Sequence, residues 1–138
     1  MMLVSLFILL IFSIFFEGTL SALPLVLICL ICLTIKMQKS LMFLIAFITG
    51  ILLDAFALRP LGETSIFLLL IVFLILLYQR KYEINSYPFV LIASFVSSFL
   101  FLVIFGYDSA LLRTIESTLI AVILFAITRI DIRLNAQN

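Results

Sequence analysis

The carboxylate of Asp54 is the side chain best placed for chemistry, because it stands near the end of a long apolar run. An acid at the centre of a membrane span costs about 2.5 to 3.5 kcal/mol on insertion scales, so such a residue usually serves a purpose. Asp54 could bind an ion or a substrate. It could instead cap the N-terminus of the next helix, or pair with Arg59 or Arg113. The structural role is favoured, because the neighbouring sequence offers no second strong ligand.

A tight turn follows this acid at Pro60, Leu61 and Gly62. Proline presets φ for a turn, and glycine adopts a φ that few other residues tolerate. Thr64 is the predicted N-cap of the helix that follows, and Glu63 suits the positive end of that helix.

A second group of polar residues is predicted on the same side of the protein as this turn. Arg113 and Glu116 are three residues apart, so they share a helical face and could pair locally. They could also meet Asp54 across the bundle. The sequence therefore predicts an outer-side polar cluster of Asp54, Arg59, Arg113 and Glu116.

Other chemistry is poorly represented in the chain. Cys29 and Cys32 form a C-x-x-C pair, but both lie inside an apolar run without a neighbouring histidine, so we expect inert thiols. The chain contains no histidine, and its sequence offers no nucleophile–base pair, metal cluster or phosphate loop. We expect no catalytic residues, no metal and no cofactor, and therefore a protein that is not an enzyme.

Composition places the chain in a membrane. Of its 138 residues 67% are hydrophobic and 11% are charged, and the mean hydropathy is +1.48. A soluble domain has about 25% charged residues. The apolar runs are continuous rather than alternating, which favours transmembrane helices over a barrel. The eight basic residues are scattered and form no patch, so nucleic-acid binding is not expected.

The apolar runs predict an all-α bundle of about six transmembrane helices in a single domain, 1–138. The predicted spans are residues 1–16, 20–35, 41–58, 64–78, 88–105 and 114–130, followed by a polar tail at 131–138. The break near Glu17 and Gly18 is the weakest, and five spans result if residues 1–35 form one tilted segment.

Basic residues predict the orientation of the spans. With six spans, one side holds Lys36, Lys39, Arg80, Lys81, Arg129 and Arg133, and the other holds only Arg59 and Arg113. Basic residues in short loops concentrate on the cytoplasmic side. Both termini are therefore predicted to be cytoplasmic.

Small residues mark two helix-packing faces. Ala46, Gly50 and Asp54 recur every four residues, which lets a neighbouring helix approach closely. A second small-residue face consists of Ala93, Ser94, Ser97 and Ser98. It is predicted to pack within the bundle, and a homodimer seam is the alternative.

The order Gly50-x-x-x-Asp54, followed by Pro60-Leu61-Gly62, resembles the signature of the MreD family of bacterial rod shape-determining membrane proteins. The resemblance implies a bundle similar to the six-helix substrate-binding components of vitamin transporters. It implies a non-enzymatic scaffold of the cell-wall elongation machinery in the bacterial cytoplasmic membrane. It also implies an MreC-like partner and, through it, contact with cell-wall synthases.

Two functional hypotheses follow. The first is an MreD-like scaffold, surrounded by membrane lipid, that holds the transmembrane helix of a partner. The second is a small-molecule-binding membrane component of a transporter, which would need several polar groups converging on a cavity.

Overall fold

The computed structural model describes residues 2–19, 24–36, 39–81 and 86–135, with side chains described for most of them up to residue 130. Within these ranges the chain is helical apart from its loops. The helices are α1 (Met2–Thr19), α2 (Leu25–Lys36), α3 (Lys39–Phe56), α4 (Glu63–Gln79), α5 (Tyr87–Ile104) and α6 (Ala110–Asn135).

Helix α2 is the centre of the fold. It contacts each of the other described helices, and its buried residues run without a break from Val26 to Ile35. The remaining helices pack around it, chiefly as the hairpins α1–α2, α3–α4 and α5–α6. A helix that is apolar on all sides must be surrounded by other helices or by lipid. Here it is surrounded by other helices.

Two loops at one end of the bundle position the residues discussed below. They are residues 57–62 between α3 and α4, and residues 105–109 between α5 and α6, and we call this end the Arg59 end. Leu58 and Gly106 take left-handed conformations, with φ of 53° and 67°. The backbone N–H one residue later then donates to a carbonyl five residues back, which closes the helix in a Schellman motif.

The opposite end of the bundle, which we call the Lys36 end, is basic. The Lys36 Nζ donates to the carbonyl of Thr128 at 3.3 Å, which links the C-terminal end of α2 to α6. The Arg129 guanidinium lies 5.0 Å from the centre of the Tyr87 ring at the start of α5.

Polarity is distributed differently from that of a water-soluble domain. Fully buried positions include Thr34, Asp54, Thr64, Ser94 and Ser117, whereas large apolar side chains face outward on every peripheral helix. Most buried hydroxyls donate to a carbonyl three or four residues earlier in their own helix, which satisfies them without a partner helix.

Helix lengths agree with the apolar pattern. α5 and the stretch Ala110–Ile130 of α6 are long and apolar enough to cross a membrane. Shorter apolar helices are Val4–Glu17, Leu25–Lys36, Ser40–Phe56 and Glu63–Gln79. The prediction of an all-helical chain is confirmed for the described residues.

Two boundary predictions need correction. Residues 1–35 do not form one segment, because α1 ends at Thr19 and α2 begins at Leu25, directly after Pro24. The predicted polar tail at 131–138 begins as helix, because α6 continues to Asn135 and no glycine or proline interrupts it. The predicted start of the second span at Leu20 lies outside the described residues.

Candidate functional site

Asp54 forms hydrogen bonds to the backbone on both sides of the α3–α4 loop. Its backbone carbonyl accepts the N–H of Arg59 at 3.0 Å, which terminates α3. Its carboxylate accepts the N–H of Gly62 at 2.9 Å and the N–H of Thr64 at 3.1 Å, and it also accepts the Thr64 hydroxyl. These donors belong to the first turn of α4, whose N–H groups otherwise lack partners. The predicted capping role of Asp54 is confirmed.

The prediction that Thr64 is the N-cap is wrong. Gly62 is the N-cap of α4, with a left-handed φ of 102° and no side chain to accept a bond. Asp54 supplies the missing acceptor from the end of the preceding helix. Thr64 lies inside the first turn and donates to that acid instead of capping. Glu63 stands in the first turn, as predicted.

Gly50 permits a backbone contact between α3 and α4. A Cβ atom on Gly50 would lie 2.7 Å from the Ser65 backbone nitrogen, closer than real Cβ contacts allow. The Ser65 hydroxyl donates across the same contact to the carbonyl of Phe47 at 3.2 Å. Ala46 and Asp54, on the same face of α3, are fully buried. The close-packing prediction for this face is confirmed.

Arg59 joins the loops at its end of the bundle. Its guanidinium donates to the hydroxyl of Tyr107 and lies 4.6 Å from the centre of the Phe105 ring. Arg59 therefore connects the α3–α4 loop to the α5–α6 loop.

Glu17 has a role that the sequence analysis missed. Its Oε2 accepts the backbone N–H of Val26 at 2.9 Å, in the first turn of α2. This arrangement repeats that of Asp54, since an acid ending one helix caps the start of the next. The available signal was positional: each acid ends an apolar run and precedes the next run by several residues.

The predicted outer-side cluster divides into separate groups. Asp54 is engaged with α4, whereas Arg59 binds Tyr107. Arg113 lies 5.9 Å from the centre of the same tyrosine ring, and Glu116 is exposed. The capping geometry of Asp54 explains the division, because the first turn of α4 already supplies its donors.

No family model matches the chain, and no curated protein or solved structure matches it either. The hydrogen bonds around Asp54 hold the end of α3 against the start of α4. The Asp54 oxygens receive donors from the protein itself, and the described residues contain no group of three or more Asp, Glu, Cys or His side chains that could hold a metal ion.

The serines of α5 form most of the predicted second packing face. Ser94, Ser97 and Ser98 are buried, and α5 packs closely along α6. Ala93 is half-buried and lies beside a groove between α4 and α5. The Ser97 hydroxyl donates to the carbonyl of Ala93 at 2.6 Å, whereas that of Ser98 finds no partner within the described residues. A homodimer seam along α5 stays a prediction.

Cys29 and Cys32 are free thiols buried in α2. The Cys29 sulfur lies 3.4 Å from the Ser13 hydroxyl oxygen on α1. We expect the double variant Cys29→Ser, Cys32→Ala to retain normal function, because neither thiol has an activating neighbour. The check is growth and cell shape in a strain that carries only the variant. A defect at normal membrane levels of the variant would contradict the inert role.

Replacing Arg59 should destabilise the contact between the α3–α4 loop and the α5–α6 loop. Arg59→Gln loses the charge-assisted bond to Tyr107 and the aromatic contacts, so we expect a loss of about 1 to 3 kcal/mol of unfolding free energy. Thermal unfolding in detergent measures the loss. Arg113→Gln is the matched control, since it removes an equal charge with a more distant ring contact, and it should have a smaller effect. Equal losses of unfolding free energy in the two variants would mean that Arg59 stabilises the protein through its charge alone and not through its contacts with Tyr107 and Phe105.

Proposed function

We propose that this chain is a multi-pass protein of the bacterial cytoplasmic membrane that acts as an MreD-like, non-enzymatic scaffold of cell-wall elongation and binds an MreC-like partner. The observation that carries the proposal is the set of hydrogen bonds that the Asp54 carboxylate accepts from Gly62 and Thr64. Three residues of the family-like signature form the contact between α3 and α4 or the turn that joins these helices: Gly50, Asp54 and Gly62. A signature devoted to holding helices together suits a scaffold.

The distribution of side chains supports a membrane location. Ile8, Phe12, Ile66, Ile92 and Leu112 are each more than 60% exposed, and they lie on four different helices. In water, so much outward apolar surface would cause aggregation, whereas lipid solvates it. Most of the buried hydroxyls and the buried Asp54 carboxylate are hydrogen-bonded within the protein, as a bundle in lipid requires.

The rival hypothesis, a transport component that binds a small molecule, needs polar groups converging on a cavity. The Asp54 carboxylate, its best candidate ligand, already accepts donors from Gly62 and Thr64. The groove between α4 and α5 is lined mainly by aliphatic and aromatic side chains. Both features favour the scaffold.

The proposed topology gives a direct prediction. Six spans place both termini in the cytoplasm, because the basic residues cluster at the Lys36 end. A periplasm-dependent phosphatase fused after Asn138 should be inactive, and the same enzyme inserted between Gly106 and Tyr107 should be active. High activity of the C-terminal fusion would overturn the topology.

The functional test is depletion of the protein in its own organism. The scaffold hypothesis expects rod-shaped cells to widen and become round while uptake of small nutrients continues. The Asp54→Asn variant should restore the rod shape, since it keeps the contact between α3 and α4. A growth defect that a supplied nutrient corrects, with normal cell shape, would favour the transporter.

A further inference from the structure

An open groove separates α4 from α5. The two helices make few close backbone contacts, and aromatic pairs connect them: Phe67 with Phe101, at 5.6 Å between ring centres, and Tyr78 with Phe89, at 5.1 Å. Between these pairs lies a cavity of about 520 Å³. Its lining is mainly aliphatic and includes Ile71, Leu74, Ile75, Ile92, Val96 and Leu100.

The Lys36 end of this groove is polar and basic. Tyr78 and Ser86 line the groove there, at the end of α4 and the start of α5. Arg80 and Lys81 come directly after the last residue of α4, Gln79, and are exposed. Two acids, Glu83 and Asp131, belong to the same end by sequence, and their side chains lie outside the described residues.

From this combination we infer that the groove holds one acyl chain of an anionic phospholipid, with the phosphate at Arg80 and Lys81. The charges complement each other, since the basic residues stand where the apolar lining ends. Basic pockets between transmembrane helices on the cytoplasmic side are known to bind anionic headgroups. The inference requires a membrane location and is independent of the scaffold role.

The length of the groove suits part of a lipid chain. The α4 wall from Ile71 to Tyr78 is about 10 Å long at 1.5 Å per residue. A hydrocarbon chain is thinner than an α-helix, which is about 10 to 12 Å wide, and the apolar side chains of both walls offer it contacts along this length.

The test measures lipid retention. The full-length protein is placed in nanodiscs of equimolar phosphatidylglycerol and phosphatidylethanolamine, extracted in mild detergent, and analysed for bound lipid by native mass spectrometry. We expect the wild type to retain the anionic lipid preferentially, by roughly thirty-fold for two basic residues. Arg80→Gln with Lys81→Gln should abolish the preference. The charge control Arg113→Gln, at the Arg59 end, should keep it.

A second pair of variants tests the groove itself. Ile92 is exposed on the groove edge, so Ile92→Trp should fill the groove with little risk to folding and should reduce retention of both lipids. Val103→Trp adds the same bulk to α5 outside the groove and should change nothing. Equal retention of the two lipids by the wild type, an unchanged preference in the double variant, or full retention by Ile92→Trp would each overturn the inference. A photo-crosslinker at Ile92 that captures a polypeptide instead of lipid would also overturn it.

Discussion

Replacing Asp54 with leucine is expected to destabilise the α3–α4 hairpin by about 2 to 6 kcal/mol. Thr64 is fully buried, and its N–H and hydroxyl both donate to this carboxylate. Each buried donor left without an acceptor costs about 1 to 3 kcal/mol. The measurement is thermal unfolding in detergent, followed by thiol labelling of Cys29 and Cys32, which are buried in the folded bundle.

The Asp54→Asn variant distinguishes capping from a need for charge. Its amide oxygen can accept the backbone N–H groups, and its NH₂ can donate to the Thr64 hydroxyl oxygen. We therefore expect a loss of only about 1 kcal/mol, from the weaker interaction with the helix dipole. Asp108→Leu, at an exposed acid in the other loop, is the matched control and should leave stability unchanged. A stable Asp54→Asn protein that binds its partner but cannot function would show that the charge is needed, and an ion-coupled role would replace the scaffold.

Replacing Gly50 with alanine should also destabilise the bundle, although alanine favours a helix by about 1 kcal/mol over glycine. The added Cβ meets the backbone of Ser65, which cannot move away without shifting α4. Overpacking of this kind costs about 1 to 3 kcal/mol, and Gly50→Leu should cost more. Chemical unfolding in detergent, read by circular dichroism, gives the sign of the change.

Two further variants isolate the backbone contact at Gly50. Ala55→Leu adds bulk to the exposed side of α3 and should be tolerated. Ser65→Gly, combined with Gly50→Ala, removes the hydroxyl but leaves the backbone nitrogen 2.7 Å from the new methyl group. The double variant should therefore remain unstable. Full rescue by Ser65→Gly would mean that only the hydroxyl clashes.

The sequence predicts local features of this fold well. Continuous apolar runs place α5 at residues 88–105, against the observed Tyr87–Ile104. The Asp54 cap and the close approach at Gly50 are predictable for a similar reason. Each involves the next helix in the chain, which follows after a loop of only a few residues. The left-handed glycine at Gly62 follows from turn chemistry in the same way.

Features that depend on distant parts of the chain are harder to predict. Arg59 meets Tyr107 only because the two loops converge around α2, and nothing near Arg59 in sequence indicates an aromatic partner. The central position of α2 has one sequence signal: it contains no phenylalanine, whereas every other helix does. Bulky rings suit the outer helices, which face open space or lipid.

Affinity purification of the tagged chain from mildly cross-linked native membranes tests the scaffold proposal most directly. Mass spectrometry of the purified complex measures which proteins accompany it and in what ratio. The scaffold account predicts an MreC-like bitopic protein in near-equal amount, retained with Asp54→Asn and lost with Asp54→Leu. Recovery of a transporter ATPase without any MreC-like protein would contradict the account.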